Sequence, residues 1–291
     1  MTPKISIITP SFQQAQYLEQ TILSVLEQNY NPLEFIIIDG GSTDGSVDVI
    51  RKYDDRISYW ISEKDRGQAH AINKGLAHAT GDIVAYINSD DLYLPEAFCK
   101  VVQYFSEHPA CDWLCGDTVM FGEGQPDRVI SAEVPRSAAQ ALSWAYTAPQ
   151  PGMFWKRKLL TNGFDERWRY CFDHELYVRL LLAGHKCDHL PATVAAYRLH
   201  DTSKTVAEGS HFDREFDEIA AIYESQLTGS GWRWCVATRH LRDSFAASTS
   251  GRRGAAVRSL LSAVLIHPES ILHRPFWGCL RRLMPLVPAK S

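Results

Sequence analysis

The chain has 291 residues, 45% of them hydrophobic, which is enough to bury a full core and long for one compact domain. The net charge of −4, from 30 Lys and Arg against 34 Asp and Glu, excludes a strongly basic nucleic-acid-binding protein. The first apolar run is far shorter than a signal-peptide core or a spanning helix, and the seven scattered cysteines favour reduced thiols over disulfides. We therefore expect a cytoplasmic globular protein without a nucleic-acid partner.

Strands and helices are predicted to alternate through the first third of the chain. A β-rich run over 4–9 is followed by a helical pattern in which Leu18, Ile22 and Val25 share a face. The near-continuous apolar run over 33–38 is typical of a strand buried on both faces of a parallel sheet. This order indicates βαβ units and an open, mostly parallel twisted sheet flanked by helices, in the α/β class. The alternation continues with a helix over 42–53, a strand over 57–61, a helix over 67–79 and a strand over 83–87.

The second half of the chain is predicted to be mixed and then helical. A helix is expected after Pro95, followed by strands near 113–121, 153–155 and 193–198. From residue 210 the pattern is mainly helical, and the last forty residues surround apolar helices with arginines. We predict one domain over 1–208 and a helical C-terminal extension over 209–291.

Polar residues follow four of the predicted strands at the points where those strands end. Ligands of open α/β sheets bind outside the carboxyl ends of the strands, so acids at successive strand ends would converge on one crevice. The four segments are Thr9-Pro10-Ser11-Phe12, Asp39-Gly40-Gly41, Ser62-Glu63-Lys64-Asp65 and Asn88-Ser89-Asp90-Asp91.

Asp39 is open to two interpretations. Its carboxylate could accept hydrogen bonds from a base or ribose, while the glycines after it let the backbone approach a ligand closely. Alternatively, Asp39-Gly40-Gly41 is a turn that leads to a helix capped by Ser42 or Thr43. The sequence contains neither a Gly-x-Gly-x-x-Gly fingerprint nor a Gly-Lys-Ser/Thr phosphate loop. A bound diphosphate would therefore need another counter-charge.

Asp90 and Asp91 are the candidates to supply that counter-charge through a metal ion. Hard oxygen ligands at the end of a buried strand suit Mg²⁺ or Mn²⁺, which can bridge diphosphate oxygens. The alternative is a helix N-cap before Pro95. His200, which closes a later β-like run, could ligate the same ion or contact the phosphates, although a lone histidine is more often structural.

Asp173 is a candidate general base because it lies in a second acidic cluster, far from Asp90 in sequence. Placed where a helix is predicted to begin, it could draw the proton from a hydroxyl group or serve only as a helix N-cap. The sequence by itself leaves both roles open.

Taken together and in order, these motifs resemble glycosyltransferase family 2 over residues 4–205. The resemblance implies a GT-A fold, with a nucleotide-binding half over 1–94 and an acceptor-side half over 95–208. The motifs are 5–12, Ile36-Ile37-Ile38-Asp39-Gly40-Gly41-Ser42-Thr43-Asp44-Gly45, Asp65-Arg66-Gly67-Gln68, Asn73-Lys74-Gly75, Gly81-Asp82-Ile83, Asn88-Ser89-Asp90-Asp91, Gly163-Phe164-Asp165-Glu166 and Tyr197-Arg198-Leu199-His200.

The resemblance also implies residue roles. Asp173 is implied as the catalytic base, Asp90 as the ligand of a Mn²⁺ or Mg²⁺ ion, and Asp91 as a neighbour that contacts the donor or the ion. His200 stays a further candidate ligand from its position in the sequence. Two positions depart from the family pattern: Asn88 replaces the first Asp of the Asp-x-Asp motif, and Phe172 replaces the Glu of the Glu-Asp base motif. The residues implied beside the donor are Thr9, Pro10 and Phe12 near the nucleotide, Asp39 at the base, Asp65 near the nucleoside, and Asn88 and Ser89.

The function that follows is an inverting, metal-dependent transfer of sugar from a nucleotide diphosphate to an acceptor hydroxyl. UDP-sugars are favoured because Asp39 could accept the imide N–H of uracil. The expected acceptor is a saccharide or lipid-linked saccharide in cell-surface polysaccharide or glycolipid biosynthesis. A sugar-phosphate nucleotidyltransferase and an inactive nucleotide-sugar-binding module remain alternatives.

The C-terminal helices, which are flanked by arginines, have two possible roles. They either lie on the inner face of an anionic membrane, as in a peripheral membrane protein, or pack against the rest of the protein as ordinary structural helices.

Overall fold

The computed structural model describes residues 2–122, 126–143, 146–201, 203–204, 209–272 and 274–283. Contacts between residues group the chain into two units. The first unit comprises residues 1–136 and 146–217, and the second comprises 137–145 and 218–291. The domain boundary at residue 208 remains a prediction.

A nine-stranded sheet organises the first unit. The strand order is β3-β2-β1-β4-β8-β6-β9-β5, with β7 beside β6. The first four strands of this order are mutually parallel, whereas β8 is antiparallel to both of its neighbours. The predicted α/β class is confirmed, with a parallel first half and a mixed second half. The strands are β1 (Ile5–Ser11), β2 (Leu33–Asp39), β3 (Tyr59–Ser62), β4 (Ile83–Tyr86), β5 (Leu92–Tyr93), β6 (Trp113–Gly122), β7 (Arg128–Ile130), β8 (Met153–Lys156) and β9 (Cys187–Leu199).

Helices flank the sheet and form the second unit. The fifth, eighth, ninth and tenth helices lie in the second unit, which also contains the end of the seventh. None of the helices in the described part of the chain is long and apolar enough to cross a membrane. The helices are α1 (Ala15–Leu26), α2 (Ser46–Arg51), α3 (Gln68–His78), α4 (Ala97–Glu107), α5 (Ala138–Leu142), α6 (Phe172–Leu182), α7 (Gly209–Tyr223), α8 (Gly229–Thr249), α9 (Arg253–Ile266) and α10 (Arg274–Leu283).

The helix predicted over 42–53 begins later, at Ser46. Asp44 explains the difference, because its carboxylate accepts hydrogen bonds from the backbone N–H and the hydroxyl of Ser46, at 3.0 and 2.6 Å. The other carboxylate oxygen accepts from the backbone N–H of Ala15, the first residue of α1, at 2.9 Å. Asp44 thus holds residues near the starts of two helices and leaves the preceding residues in a loop at the sheet edge.

The core of the first unit follows the side-chain alternation of β1. Ile7 faces the apolar cluster that includes Leu18 and Ile22 of α1. Ile8 lies against α3, so closely that a Cβ atom added to Gly75 would come within 2.5 Å of it. Since both faces of β1 are buried, its polar residues can meet a ligand only beyond its carboxyl end.

Glu34 links the beginning of the sheet to the turn before β4. Its carboxylate accepts hydrogen bonds from Lys4 Nζ at 2.7 Å, from Ser6 Oγ at 2.6 Å, and from the backbone and hydroxyl of Thr80 at 2.7 Å each. Burial by itself would raise the pKa of Glu34, but these donors outweigh it and lower the pKa to about 2.

We expect Glu34→Gln to lower the free energy of unfolding at neutral pH by about 1–3 kcal/mol, because a buried donor loses its charged acceptor. The pKa of Glu34 is lower in the folded chain than its ordinary value of 4.5. Its ionised form therefore stabilises the fold above pH 4.5, and this contribution is lost as the pH falls from there toward about 2. Urea unfolding at several pH values tests this, with the exposed Glu27→Gln as control. Equal losses in the two variants would contradict the assignment.

Candidate active site

A cavity of about 640 Å³ opens at the carboxyl ends of β1, β2 and β4, within the first unit. This volume suits a ligand of nucleotide size. The residues that line it are Pro10, Ser11, Phe12, Gln13, Gln14, Gly40, Gly41, Lys64, Asp65, Arg66, Gly67, Gln68, Ala71, Asn88, Ser89, Asp90, Arg169, Tyr197, Ser203 and Lys204.

The charged side chains of the cavity wall favour an anionic ligand. The two acidic residues are Asp65 and Asp90, against four basic residues. Low-dielectric walls of one prevailing sign concentrate the field and attract the opposite charge. The basic residues of the wall are Lys64, Arg66, Arg169 and Lys204.

The glycines after β2 reach the cavity, whereas Asp39 stays behind them. The Asp39 side chain is fully buried, and its carboxylate accepts from the backbone N–H groups of Gly41 and Ser42, at 3.1 and 2.8 Å. It also accepts from the hydroxyls of Ser42 and Ser62, at 2.6 and 2.7 Å. Gly41 has a φ of +84°, a conformation that favours glycine. The carboxylate therefore shapes the loop, and backbone atoms form the cavity wall.

Phe12, Gly40 and Asp65 meet at one side of the cavity. A Cβ atom at Gly40 would lie 2.7 Å from Asp65 Oδ2 and 3.2 Å from the Phe12 ring. The Phe12 ring is 58% exposed, and Asp65 Oδ1 accepts from the backbone N–H of Gly67 at 2.8 Å. An exposed aromatic face beside a carboxylate acceptor can stack on a base and bind ribose hydroxyls.

Thr9 does not reach the cavity, although its sequence neighbours do. Pro10, Ser11 and Phe12 line the wall, but Thr9 is completely buried within β1. Its hydroxyl has no hydrogen-bond partner within the described residues. The cavity opens beyond the carboxyl end of β1. Thr9 lies before that end, inside the strand, and therefore does not contact a ligand in the cavity.

The loop after β4 brings two predicted metal ligands together. Asp90 lines the cavity, and its Oδ2 lies 2.9 Å from Nε2 of His200, although the two residues are 110 positions apart. The carboxylate of Asp90 is a ligand type that suits Mn²⁺ or Mg²⁺, whereas an imidazole is more typical of other transition metals. In the described ranges no group of three or more His, Cys, Asp or Glu side chains is arranged to hold a metal. Within the described residues, Asp90 and His200 therefore contact each other without a third such side chain beside them.

Asp91, also predicted to contact the donor or the ion, points into the protein. Its Oδ1 accepts from the backbone N–H of Arg198 at 2.9 Å, and its Oδ2 accepts from the side-chain amide of Asn88 at 3.2 Å. Burial, with the charge of Asp90 beside it, raises the pKa of Asp91 well above its ordinary value. Asp91 is absent from the cavity wall and joins the loop after β4 to the end of β9.

The hydrogen bonds of Asn88 explain why this position has an amide, although the family pattern has a carboxylate there. Its oxygen accepts from Gln68 Nε2 at 2.6 Å while its nitrogen donates to Asp91. A carboxylate could not donate that second hydrogen bond and would place two like charges together. Gln68 in turn accepts from Lys204 Nζ at 2.7 Å. Lys204 is a site residue that no sequence pattern indicated, and Gln68 appeared in the sequence only as a member of the motif Asp65-Arg66-Gly67-Gln68.

Asp173 is the second residue of α6, whose N-cap position is occupied by Cys171. Its Oδ1 accepts from the backbone N–H of His174 at 2.7 Å. Burial raises the pKa of Asp173 to about 6, while that hydrogen bond and the ammonium of Lys204 act in the opposite direction. Lys204 lines the cavity, so Asp173 is coupled electrostatically to a side chain of the wall. A carboxylate with this pKa can accept a proton near neutral pH.

Glu215 of α7 holds the segment that precedes Asp173. Its buried carboxylate accepts from three successive backbone N–H groups, those of Arg169, Tyr170 and Cys171, at 2.8–2.9 Å. Arg169 lines the cavity, so one carboxylate positions both a wall residue and the start of α6. The sequence carried no signal for this contact, because it joins residues more than forty positions apart.

Comparison with known proteins identifies the family. A model described as glycosyl transferase family 2 matches residues 6–156, just over half of the chain. The putative teichuronic acid biosynthesis glycosyltransferase TuaG of Bacillus subtilis is 37% identical over 134 residues, which cover 45% of this chain and 53% of that protein. The chain therefore belongs to glycosyltransferase family 2 and is a glycosyltransferase.

Solved structures agree with the fold. S. aureus TarS in complex with UDP-GlcNAc superimposes with a TM-score of 0.65 at 16% identity, over 96% of this chain and 88% of that one. The mannosyltransferase PcManGT from Pyrobaculum calidifontis, in complex with GDP-Man and Mn²⁺, gives a TM-score of 0.57 at 20% identity, over 97% and 84%. The GT-A fold expected from the sequence is confirmed.

The two interpretations of Asp39 predict different effects of Asp39→Asn. If Asp39 mainly holds the loop, Asp39→Ala should lower the free energy of unfolding by about 2–3 kcal/mol, because it leaves buried donors unpaired. Asp39→Asn should lower the free energy of unfolding by a smaller amount. Thermal unfolding and UDP calorimetry on both variants test this. A normal melting temperature for Asp39→Asn combined with lost UDP binding would instead assign Asp39 to the base.

Proposed function

We propose that this protein is a metal-dependent, inverting glycosyltransferase that uses a nucleotide diphosphate sugar. The observation that carries the proposal is a cavity with a predominantly basic wall that also includes Asp90, whose carboxylate contacts His200 behind that wall. A diphosphate carries negative charge that both features can balance. Asp173 is absent from the cavity lining but interacts electrostatically with Lys204 of the wall, and burial raises its pKa to about 6, so we assign it as the proton acceptor.

The donor we favour is a UDP-sugar. The nucleotide would stack at Phe12, beside Asp65 and the Gly40-Gly41 backbone, with its diphosphate directed toward Asp90. The UDP-GlcNAc complex of TarS supports a uridine donor, while the GDP-Man complex of PcManGT indicates that the same fold accepts guanosine. The acceptor we propose is a saccharide or lipid-linked saccharide in cell-surface polysaccharide synthesis, which the name of TuaG supports.

Asp90 and His200 would hold the divalent cation, with diphosphate oxygens and water as further ligands. When bound, such a cation stabilises negative charge on the departing diphosphate. The Mn²⁺ complex of PcManGT supports this choice of ion. Lys204 and Arg169, on the same wall, add fixed positive charge for the phosphates.

The transfer would be a single displacement. Asp173 accepts the proton of the acceptor hydroxyl, whose oxygen forms a bond to the anomeric carbon. The bond from that carbon to the diphosphate oxygen breaks, and the nucleoside diphosphate departs with the electron pair. Attack from the opposite face inverts the anomeric configuration. Glu215 contributes by fixing the segment before Asp173, and its charge helps to raise the pKa of Asp173.

We expect Asp173→Asn to lower kcat by about 10²–10⁴-fold, because the amide cannot accept the proton. In the wild type, kcat/KM should decline as the pH falls below about 6, where Asp173 becomes protonated. The measurement is nucleoside diphosphate release with acceptor present, alongside the anomeric configuration of the product. Asp213→Asn, an exposed change on α7, is the matched control. Full activity of Asp173→Asn would refute the role of Asp173 as the base. Release of pyrophosphate from a nucleoside triphosphate would instead indicate that the protein is a nucleotidyltransferase.

The metal assignment is tested by binding, without turnover. Calorimetric titration with UDP should show tighter binding in the presence of Mn²⁺, and Asp90→Ala should remove that increment, weakening binding by about tenfold or more. His200→Gln should reduce the increment in the same direction. Asp48→Ala, at an exposed residue of α2, serves as control. An unchanged Mn²⁺ increment in Asp90→Ala would exclude Asp90 as a ligand.

A further inference from the structure

Helix α9 carries apolar residues on two separate faces. Ala256, Leu260 and Ala263 are buried, and Leu260 and Ala263 pack with residues of α8 and α10 in the core of the second unit. A second set of aliphatic side chains is exposed to solvent, although a single core-facing stripe is what a surface helix needs. This second set consists of Val257, Leu261 and Leu265, with exposed fractions of 43%, 57% and 83%.

The exposed set forms one continuous stripe. Residues four apart stack on the same face of a helix, so Val257, Leu261 and Leu265 follow each other along α9. Three further exposed apolar residues come after this helix, Ile271 at 41%, Leu272 at 77% and Trp277 of α10 at 51%. The second unit therefore presents apolar area that its own core does not use.

Arginines border the stripe on both sides. At 3.6 residues per turn, Arg253 lies one turn before Val257 on one edge of the stripe, and Arg258 lies on the opposite edge. Both side chains are exposed, and neither forms an ion pair within the parts of the chain that the structure describes. The apolar stripe is thus framed by positive charge.

The charge of the whole chain is distributed unevenly around this helix. Residues 251–291 contain six Arg and Lys290 against the single acid Glu269, a net charge of +6. Because the complete chain has a net charge of −4, the first 250 residues carry −10. An anionic surface would attract the C-terminal segment and repel the remainder.

We propose that the stripe Val257-Leu261-Leu265 is a docking surface for an anionic lipid bilayer. The aliphatic side chains enter the boundary between head groups and acyl chains, while Arg253 and Arg258 contact lipid phosphates. Trp277 belongs to a residue type enriched at that boundary. This inference concerns location and stands independently of the transfer reaction.

The same charges disfavour a second copy of the chain as the occupant. A two-fold symmetric contact through α9 would bring the same patch of each copy together. Arg253 and Arg258 of one copy would then approach their own counterparts, and like charges across an interface oppose association. The bilayer is the occupant that satisfies both the apolar stripe and its positive border.

Vesicle co-sedimentation of the full chain tests the proposal. The probes are phosphatidylcholine vesicles with and without about one third phosphatidylglycerol, at low and high salt. We expect binding to the anionic vesicles and its weakening at high salt. Leu261→Gln/Leu265→Gln should lower the partition coefficient about tenfold or more, and Arg253→Gln/Arg258→Gln should remove most of the preference for anionic lipid. Val129→Gln, at an exposed aliphatic residue of the first unit, is the matched control.

Several outcomes would overturn the proposal. One is absence of wild-type binding to anionic vesicles, and another is equal binding by the double leucine variant. A wild-type dimer in analytical ultracentrifugation that the leucine changes convert to a monomer, without vesicle binding, would assign the stripe to a second copy. Circular dichroism and calorimetric UDP binding on each variant establish that the fold and the first unit are intact.

Discussion

The cavity depends on carboxylates that accept hydrogen bonds from backbone N–H groups at its rim. Loops at strand ends leave such groups unpaired, and a buried N–H without a partner is costly. Asp39 satisfies two of them after β2, Asp65 one before α3, and Asp91 one at the end of β9. Glu215 satisfies three before α6. Most acids near the site therefore build its walls and are not available for chemistry.

The proposed function assigns chemistry to two other carboxylates, of which Asp173 also accepts one backbone N–H, that of His174. Asp90 is turned toward the cavity and His200, and Asp173 has a raised pKa at the start of α6. Phe172, beside Asp173, replaces a family glutamate and packs into an aromatic cluster with Tyr86 and Phe164. That packing fixes the start of the helix by apolar contact, where a second buried carboxylate would have raised the electrostatic cost of ionising Asp173.

Basic side chains are concentrated in two places, the wall of the cavity and the C-terminal segment. The wall of the cavity concentrates basic side chains around a site suited to a diphosphate, although the first 250 residues are acidic as a whole. The basic C-terminal segment carries its arginines around an apolar stripe. Our two proposals assign the first group of charges to the donor and the second to an anionic lipid surface.

The sequence by itself determined the α/β class, the approximate course of the early strands and helices, and the family, because these depend on local periodicity and on ordered motifs. It also offered His200 as a side chain that could share a metal ion with Asp90 or contact the phosphates. Only the tertiary structure decided which polar residues face the cavity. Thr9, Asp39 and Asp91 point inward, whereas Gln68, Arg169 and Lys204 reach the wall. The physical reason is that orientation depends on three-dimensional partners that no local pattern encodes, such as Arg198 for Asp91, 107 positions away, and Ser62 for Asp39, 23 positions away.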